Sequence, residues 1–350
     1  MTSQNRRLTD RRSAGPQAGL TLVELMITLT IGLIIIGALG MLFIGSSSTR
    51  REVETTAEMI ENGRYAIDVL SRELSLAGYY GTLTRPEGDN DDSIPCSTSP
   101  TAWIGSALIE GSLQLHTFGW NQDAGNPACL TDRKAGTDAI FIQRASTCEA
   151  GIDGCEGERA DRAYLQVSEC GETYNDNPPQ LGRGRGGDGA AGDGGGDSDD
   201  EAAAAPAFDL QTSTCAGDFA PLRRFVRGIY FVNSNDVLTY REIGPAGSAS
   251  VALVENIEQL QFSYAIDTDG DGSPDEFTSK PATSARWTNV IGVRVWLLSR
   301  SATESDRPQD TPSFQLDDMP ANGVDLTKAY RRRASTAYIS FVSPTLRRAK

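Results

Sequence analysis

Residues 20–44, LTLVELMITLTIGLIIIGALGMLFI, form an apolar run that carries one charge, Glu24. A helix needs about 20 such residues to cross a hydrocarbon core, so this run is long enough. Arg6, Arg7, Arg11 and Arg12 precede it and would hold the leading segment in the cytoplasm. In an ordinary secretory signal the small residues follow the apolar region, and cleavage removes it. Here the small pair Ala18-Gly19 comes first. A cut at that point leaves the apolar helix on the mature chain. The paired arginines raise the possibility of twin-arginine export, but the helix holds a carboxylate and no clear cleavage site follows it. That carboxylate is costly, at about 2.5–3.5 kcal/mol near the centre of a span and less near its end. A cut after Gly19 would free the amine of Leu20 four residues before Glu24 and so supply a partner; snorkelling to the interface is the structural alternative.

Beyond the apolar run the pattern changes. Val53, Ile60, Ile67 and Leu74 stand seven apart, with Ala57, Leu70 and Ala77 beside them, and charged residues fill the other positions. This predicts an amphipathic helix over 49–77 that turns its apolar stripe toward a globular body. Gly78 is the expected C-cap.

Ala18-Gly19 followed by Leu20-Thr-Leu-Val-Glu24-Leu-Met26 resembles the class III signal of type IV prepilins. The resemblance implies that prepilin peptidase cuts between Gly19 and Leu20 and methylates the new N-terminus on Leu20. It implies that Glu24 pairs with the N-terminal amine of a neighbouring subunit during assembly. Its further implications are other major and minor pilins and an inner-membrane assembly platform as partners, a single pass through the inner membrane with the globular part periplasmic, and a place in a pilus filament or at its tip. Two features depart from the commonest pattern. Leu20 stands where Phe is usual, and Met41 stands where major pilins often carry a kinking proline. Gly32, Gly37, Gly40 and Gly45 would supply flexibility or close helix packing instead. The stretch Leu70 to Gly81, LSRELSLAGYYG, narrows the resemblance to the PilW type of minor pilin, although Thr82 replaces a cysteine found in many relatives. The segment Ile257–Ala265, the acidic loop after it, Trp287, Asn289–Ser299 and Tyr330-Arg331-Arg332-Arg333 resemble the same family in sequence and order. The function implied is to initiate or support pilus assembly. A type II secretion minor pseudopilin and an adhesin-like module at a pilus tip are the alternatives.

The rest of the chain reads as a β-rich body, giving an α+β fold: a long N-terminal helical spine, transmembrane and then amphipathic, packed on a C-terminal antiparallel β-sheet domain with long loops. Strands are expected at Ser112–Phe118, Asp138–Arg144, Ala163–Val167, Arg224–Asn233, Val237–Glu242, Ser250–Val254, Ile257–Ala265, Asn289–Ser299 and Ala334–Val342. The Ser234-Asn235-Asp236 turn suggests a hairpin. The Gly/Asp/Ala-rich stretch 178–206 lacks the apolar content to offset ordering and is expected to be unfolded. The divisions are therefore a leader at 1–19, an assembly helix at 20–45, the amphipathic half of the spine at 46–78, a cysteine-bearing β region at 79–177, the unfolded stretch at 178–206 and the C-terminal sheet region at 207–350.

Six cysteines, Cys96, Cys129, Cys148, Cys155, Cys170 and Cys215, occur without a CxxC and beside a single histidine, His116, so the usual zinc patterns are missing. An exported chain favours disulfides, with Cys148–Cys155 the easiest local pair; buried free thiols are the alternative. The formal net charge is −15, and residues 1–19 contribute +3, which leaves −18 on the remainder. So acidic a body repels nucleic acid. No nucleophile motif or cofactor fingerprint is present, and His116 reads as a surface or edge-strand residue, so no catalytic residue and no enzyme activity are expected.

One loop suits a hard cation. Residues 267–276, DTDGDGSPDE, place Asp267, Asp269 and Asp271 at alternating positions. Gly272 would permit the turn, Ser273 would offer its carbonyl and Asp275 would bind directly or through water. A structural calcium in the loop is the expectation, since close carboxylates repel unless neutralised. Thr278 stands where an EF-hand needs its bidentate Glu, and a solvated turn is the alternative. The cleavage reading is checked by N-terminal sequencing of the mature protein. The chain should begin at Leu20; a start beyond residue 40 would mean ordinary signal removal and would overturn the reading.

Overall fold

The computed structural model describes residues 19, 21–83, 113–168, 170, 178–184, 208–245, 247–305, 316, 319, 324 and 327–348. The chain divides into two compact units, Met1–Glu54 and Thr55–Lys350. Helix α1, Leu22–Leu74, is 53 residues long and provides the expected spine. It runs through Gly32, Gly37, Gly40 and Gly45 as continuous helix.

Within the second unit the buried side chains of α1 are Met59, Ala66, Leu70 and Leu74, followed by Ala77 past its end. These steps of three, four and seven keep to one face of a helix with 3.6 residues per turn. The expected seven-residue stripe is corrected at Ile60, which is 38% exposed. A strict seven-residue spacing drifts by about 20° per heptad on a straight helix, so two heptads before Leu74 it is leaving the packed face. Gly63 lies on that face, where an added Cβ would sit 2.9 Å from Ser299 Oγ. The spine ends in tight turns, with Ala77 N–H donating to Leu74 O, and Gly78 adopts φ +74°. An added Cβ at Gly78 would also meet His116 and Pro344 at 3.0 Å.

Among the described residues eleven strands follow. They are β1 Thr117–Trp120, β2 Ala139–Glu149, β3 Ala163–Gln166, β4 Gln180–Arg183, β5 Leu222–Val232, β6 Leu238–Gly244, β7 Gly247–Val254, β8 Ile257–Ile266, β9 Glu276–Thr278, β10 Val290–Arg300 and β11 Arg332–Ser340. Two short helices, α2 Ser284–Thr288 and α3 Val342–Arg348, complete the described elements. Every pairing is antiparallel. One sheet runs β1-β2-β5-β3-β4, with β6 beside β5 and β7 beside β6; the other runs β11-β10-β8-β9. The β5–β6 hairpin expected from Ser234-Asn235-Asp236 is present, and Asn233 Oδ1 accepts from the N–H groups of Asn235 and Val237. Strand β4 lies inside the stretch expected to be unfolded, because Leu181 gains a buried place against β3; residues 185–207 lie outside the described residues.

Period-two alternation splits the first sheet between two cores. Ile140, Ile142, Tyr230 and Val232 face the cluster that holds Ala66, Leu70 and Leu74 of the spine together with Leu260, Phe262, Val293, Val295 and Leu297. Phe141, Ile229 and Phe231 face a second cluster with Tyr80, Leu165 and Leu181. A buried carboxylate links the sheets. Asp138 Oδ2 accepts from Phe262 N–H at 2.8 Å, Oδ1 accepts from Gln122 N–H at 2.7 Å, and Asp138 N–H donates to Leu260 O at 2.9 Å. The Tyr330–Arg333 motif is also accounted for in part. Arg331 donates to Thr56 on the spine, and Arg332 makes a two-pronged buried pair with Glu258 of β8. Tyr330 lies against the Arg300 and Arg332 guanidinium groups.

Two disulfides are seen, Cys148–Cys155 and Cys170–Cys215. Cys129 is also disulfide-bonded, and Cys96 lies outside the described residues.

His116 differs from expectation. It is buried just ahead of β1, with Nδ1 3.1 Å from Gln114 O, Nε2 2.7 Å from Val290 O and its ring edge-on to Phe341. Burial lowers its pKa from 6.5 to about 4; the two carbonyl contacts oppose the shift, and Arg347 and Arg348 add to it. The unfolded chain therefore takes up the proton first. Stability is full above about 6.5 and falls as pH drops from there toward 4. Denaturant unfolding of the chain with His116 and of a His116→Gln variant should differ most near pH 7. The difference should shrink by up to about 1.4 kcal/mol per pH unit through that window. A constant difference would show that His116 is not held neutral.

Candidate functional site

The residues singled out in the sequence lie at the start of α1 and in the acidic loop between β8 and β9. Gly19 is exposed, and Leu20 lies outside the described residues. Thr21 caps the helix: its Oγ1 accepts from Glu24 N–H at 3.3 Å, and its carbonyl accepts from Leu25 N–H at 3.1 Å. Thr-x-x-Glu is the spacing of a capping box, and it places Glu24 in the first turn, where a negative charge is favoured by the helix dipole. Farther along, Thr28 Oγ1 donates to Leu25 O and Thr30 Oγ1 to Met26 O and Ile27 O. Those hydroxyls need no water, a requirement inside a bilayer. The large apolar side chains from Leu22 to Phe43 are 50–79% exposed, on every side of the helix. A helix that is apolar all round must bury itself in lipid or among other helices. It is long and apolar enough to cross a membrane. The sequence carried the Glu24 signal; Thr21 as its capping partner was missed, although the spacing could have shown it.

The acidic loop connects β8 to the short β9, with Ile266 opposite Glu276. β9 and α2 stand between this loop and β10. Asp267 is fully buried. Its Oδ1 accepts from Gly270 N–H at 2.6 Å and its Oδ2 from Gly272 N–H at 3.0 Å. Both glycines adopt positive φ, +84° and +85°, which lets the backbone wrap around that carboxylate. Asp275 Oδ2 accepts from the backbone and hydroxyl of Thr268, both at 2.7 Å, and these bonds hold its carboxyl below the usual range. Carboxylate oxygens of Asp267, Asp269 and Asp275 lie within 4.8 Å of one another. Asp271 stands outside that group, its Oδ1 accepting from Ser273 N–H at 2.7 Å. Arg348 approaches from α3, with Nη1 3.7 Å from Asp267 Oδ2, and no local sequence signal pointed to it. Hard oxygen donors so placed suit a divalent cation of the calcium kind. His116 is occupied in packing, and among the described residues no nucleophile–base pair emerges.

Comparison with known proteins agrees with this geometry. Residues 15–40 match the prokaryotic N-terminal methylation motif. Residues 229–342, from the middle of β5 to the start of α3, match the family described as Type IV Pilus-assembly protein W. No curated protein sequence matches the chain. Among solved structures, a type IV-like pilin from Thermus thermophilus aligns over 81% of this chain and 97% of its own, at 11% identity and a TM-score of 0.35, too low to carry weight. A methylation motif on its apolar helix and a pilus-assembly region through its C-terminal sheet make the chain similar, over those two segments, to type IV pilin-like proteins of the PilW type.

Proposed function

We propose that the chain is inserted in the inner membrane as a prepilin, with its globular part periplasmic. Prepilin peptidase then cuts it between Gly19 and Leu20 and methylates Leu20, and the product joins the filament or its tip to initiate or support pilus assembly. The carrying observation is the Thr21-capped start of a fully apolar, exposed helix with Glu24 in its first turn. In lipid the Glu24 carboxylate is poorly solvated, and the amine of an adjacent subunit's first residue would relieve that cost. Its partners are then other major and minor pilins and the inner-membrane assembly platform. The role is structural rather than enzymatic. The pilus-assembly match over residues 229–342 favours a pilus over a secretion pseudopilus. Glu24→Ala should leave cleavage and membrane level intact while lowering the amount of the chain in sheared pili by at least about ten-fold, since removing one partner of a charge pair in an apolar setting costs more than the ~1.4 kcal/mol that ten-fold represents. Equal recovery of the variant in pili would reject the pairing.

The acidic loop carries a second part of the proposal, a structural calcium held by Asp267, Asp269 and Asp275, with Asp271 and Ser273 as outer donors. Its support is the approach of three carboxylates, with Arg348 Nη1 3.7 Å from Asp267 Oδ2. The ion would fix how β8 turns into β9. Binding to the folded state alone adds about 2.7 kcal/mol at a hundredfold excess over Kd. Thermal unfolding in calcium should therefore exceed that in chelator by several degrees, about 2–4 °C per kcal/mol for a body of this size. Asp269→Ala/Asp275→Ala should lose the difference. A melting temperature that ignores calcium would make the loop a polar turn.

A further inference from the structure

Sheet edges in this protein are unequal. β1, β4 and β9 are only four, four and three residues long. β11 is longer but carries Arg333 near its start, an exposed charge of the kind that discourages strand addition. β7 differs from all of them. Its eight residues, Gly-Ser-Ala-Ser-Val-Ala-Leu-Val, hold no charge and no proline. It pairs with β6 on one side, and among the described residues no strand pairs with the other. Residues Ser248 to Ala252 are exposed, Val251 by 51%. Meanwhile Leu253 and Val254 pack into the main core, and Ser250 Oγ accepts from Arg241 Nε, so the strand is anchored at its end and along its paired side. A row of backbone donors and acceptors is thus presented on a rigid, uncharged edge, which is what strand addition requires.

We propose that β7 is a docking edge that pairs with an extended edge strand of a neighbouring pilin subunit in the filament; the inference rests on the pilus reading above. Size decides the occupant. A specific interface buries about 800 Å² on each side, from some 20–30 residues. An eight-residue edge falls far short of that, so by itself it gives only a weak encounter with a protein free in solution. Charge argues the same way, since a second free copy would bring another −18 toward the first. A neighbour already held beside it through its own N-terminal helix meets β7 at an effective concentration in the millimolar range, where a few backbone hydrogen bonds suffice. The partner strand is itself uncharged where it lies along Ser248–Ala252, because a charge there would be drawn out of water against small and apolar side chains.

The test uses the full chain in piliated cells. A photo-crosslinking residue replaces Val251, and a control replaces Ile152, exposed near the Cys148–Cys155 bridge. The Val251 probe should form an adduct with another pilin in sheared pili, and the Ile152 probe should not. In detergent-dispersed chain the Val251 adduct should vanish. Separately, Val251→Lys should enter pili about five-fold less well than Val251→Thr at equal membrane level, since an edge lysine blocks strand addition. A chain absent from pili altogether overturns the pilus reading. A chain present in pili with no pilin adduct at Val251, with an undiminished adduct after dispersal, or with the two variants entering equally overturns the docking edge.

Discussion

Everything else in this molecule depends on one helix having to satisfy two solvents. From Leu22 to Phe43, α1 presents large apolar groups on all sides, which water cannot tolerate and lipid or other apolar helices can. From Met59 onward only one stripe is apolar, and it is covered by the sheet bearing Val293, Val295 and Leu297. Between them the chain carries Arg50, Arg51 and Glu52, side chains that need water. The change of pattern within one continuous helix gives a segment long and apolar enough to cross a membrane and a scaffold for a β-rich body. Small residues make the scaffold tight: Gly63 admits Ser299 where a Cβ would not fit, and Ala66 and Ala77 are fully buried.

The body is then locked by a few charged groups taken out of water with their partners in place. Asp138 spans the two sheets with three hydrogen bonds, and the Glu258–Arg332 pair is almost completely enclosed. Such groups add little net stability over apolar packing, but breaking one side leaves an uncompensated charge. Arg227 follows a related logic. It is buried over the Phe141 ring, and burial lowers its pKa to about 9. The Tyr330–Arg333 run has the same purpose at larger scale, tying β11 to β8 through Arg332 and to the spine through Arg331.

The acidic loop and the helix start show how a site can be visible in outline and still be misdrawn. Alternating aspartates mark a cation-friendly loop, but the backbone winds around Asp267 through two positive-φ glycines, and the side chain that comes closest to the shared space is Asp275 rather than Asp271. Spacing along the chain brought out the aspartates; the turn geometry groups Asp267, Asp269 and Asp275 and leaves Asp271 outside. At the helix start, the carboxylate was evident because a charge in an apolar run is costly, whereas the cap needed the helix boundary to be known.

By itself the sequence determined the membrane-length helix, the small-residue pair ahead of it, Glu24, the change to an amphipathic spine and most of the long strands. These are set by near neighbours, through periods of 3.6 and 2 and through turn residues, so they can be read locally. The tertiary structure alone decided that the packed stripe runs through Met59, Gly63, Ala66, Leu70 and Leu74. It also buried His116, placed β4 in a stretch of unpromising composition, and brought Arg348 to Asp267 and Arg332 to Glu258. Those outcomes depend on contacts between segments tens of residues apart, where shape and desolvation decide and local composition carries no record of the partner.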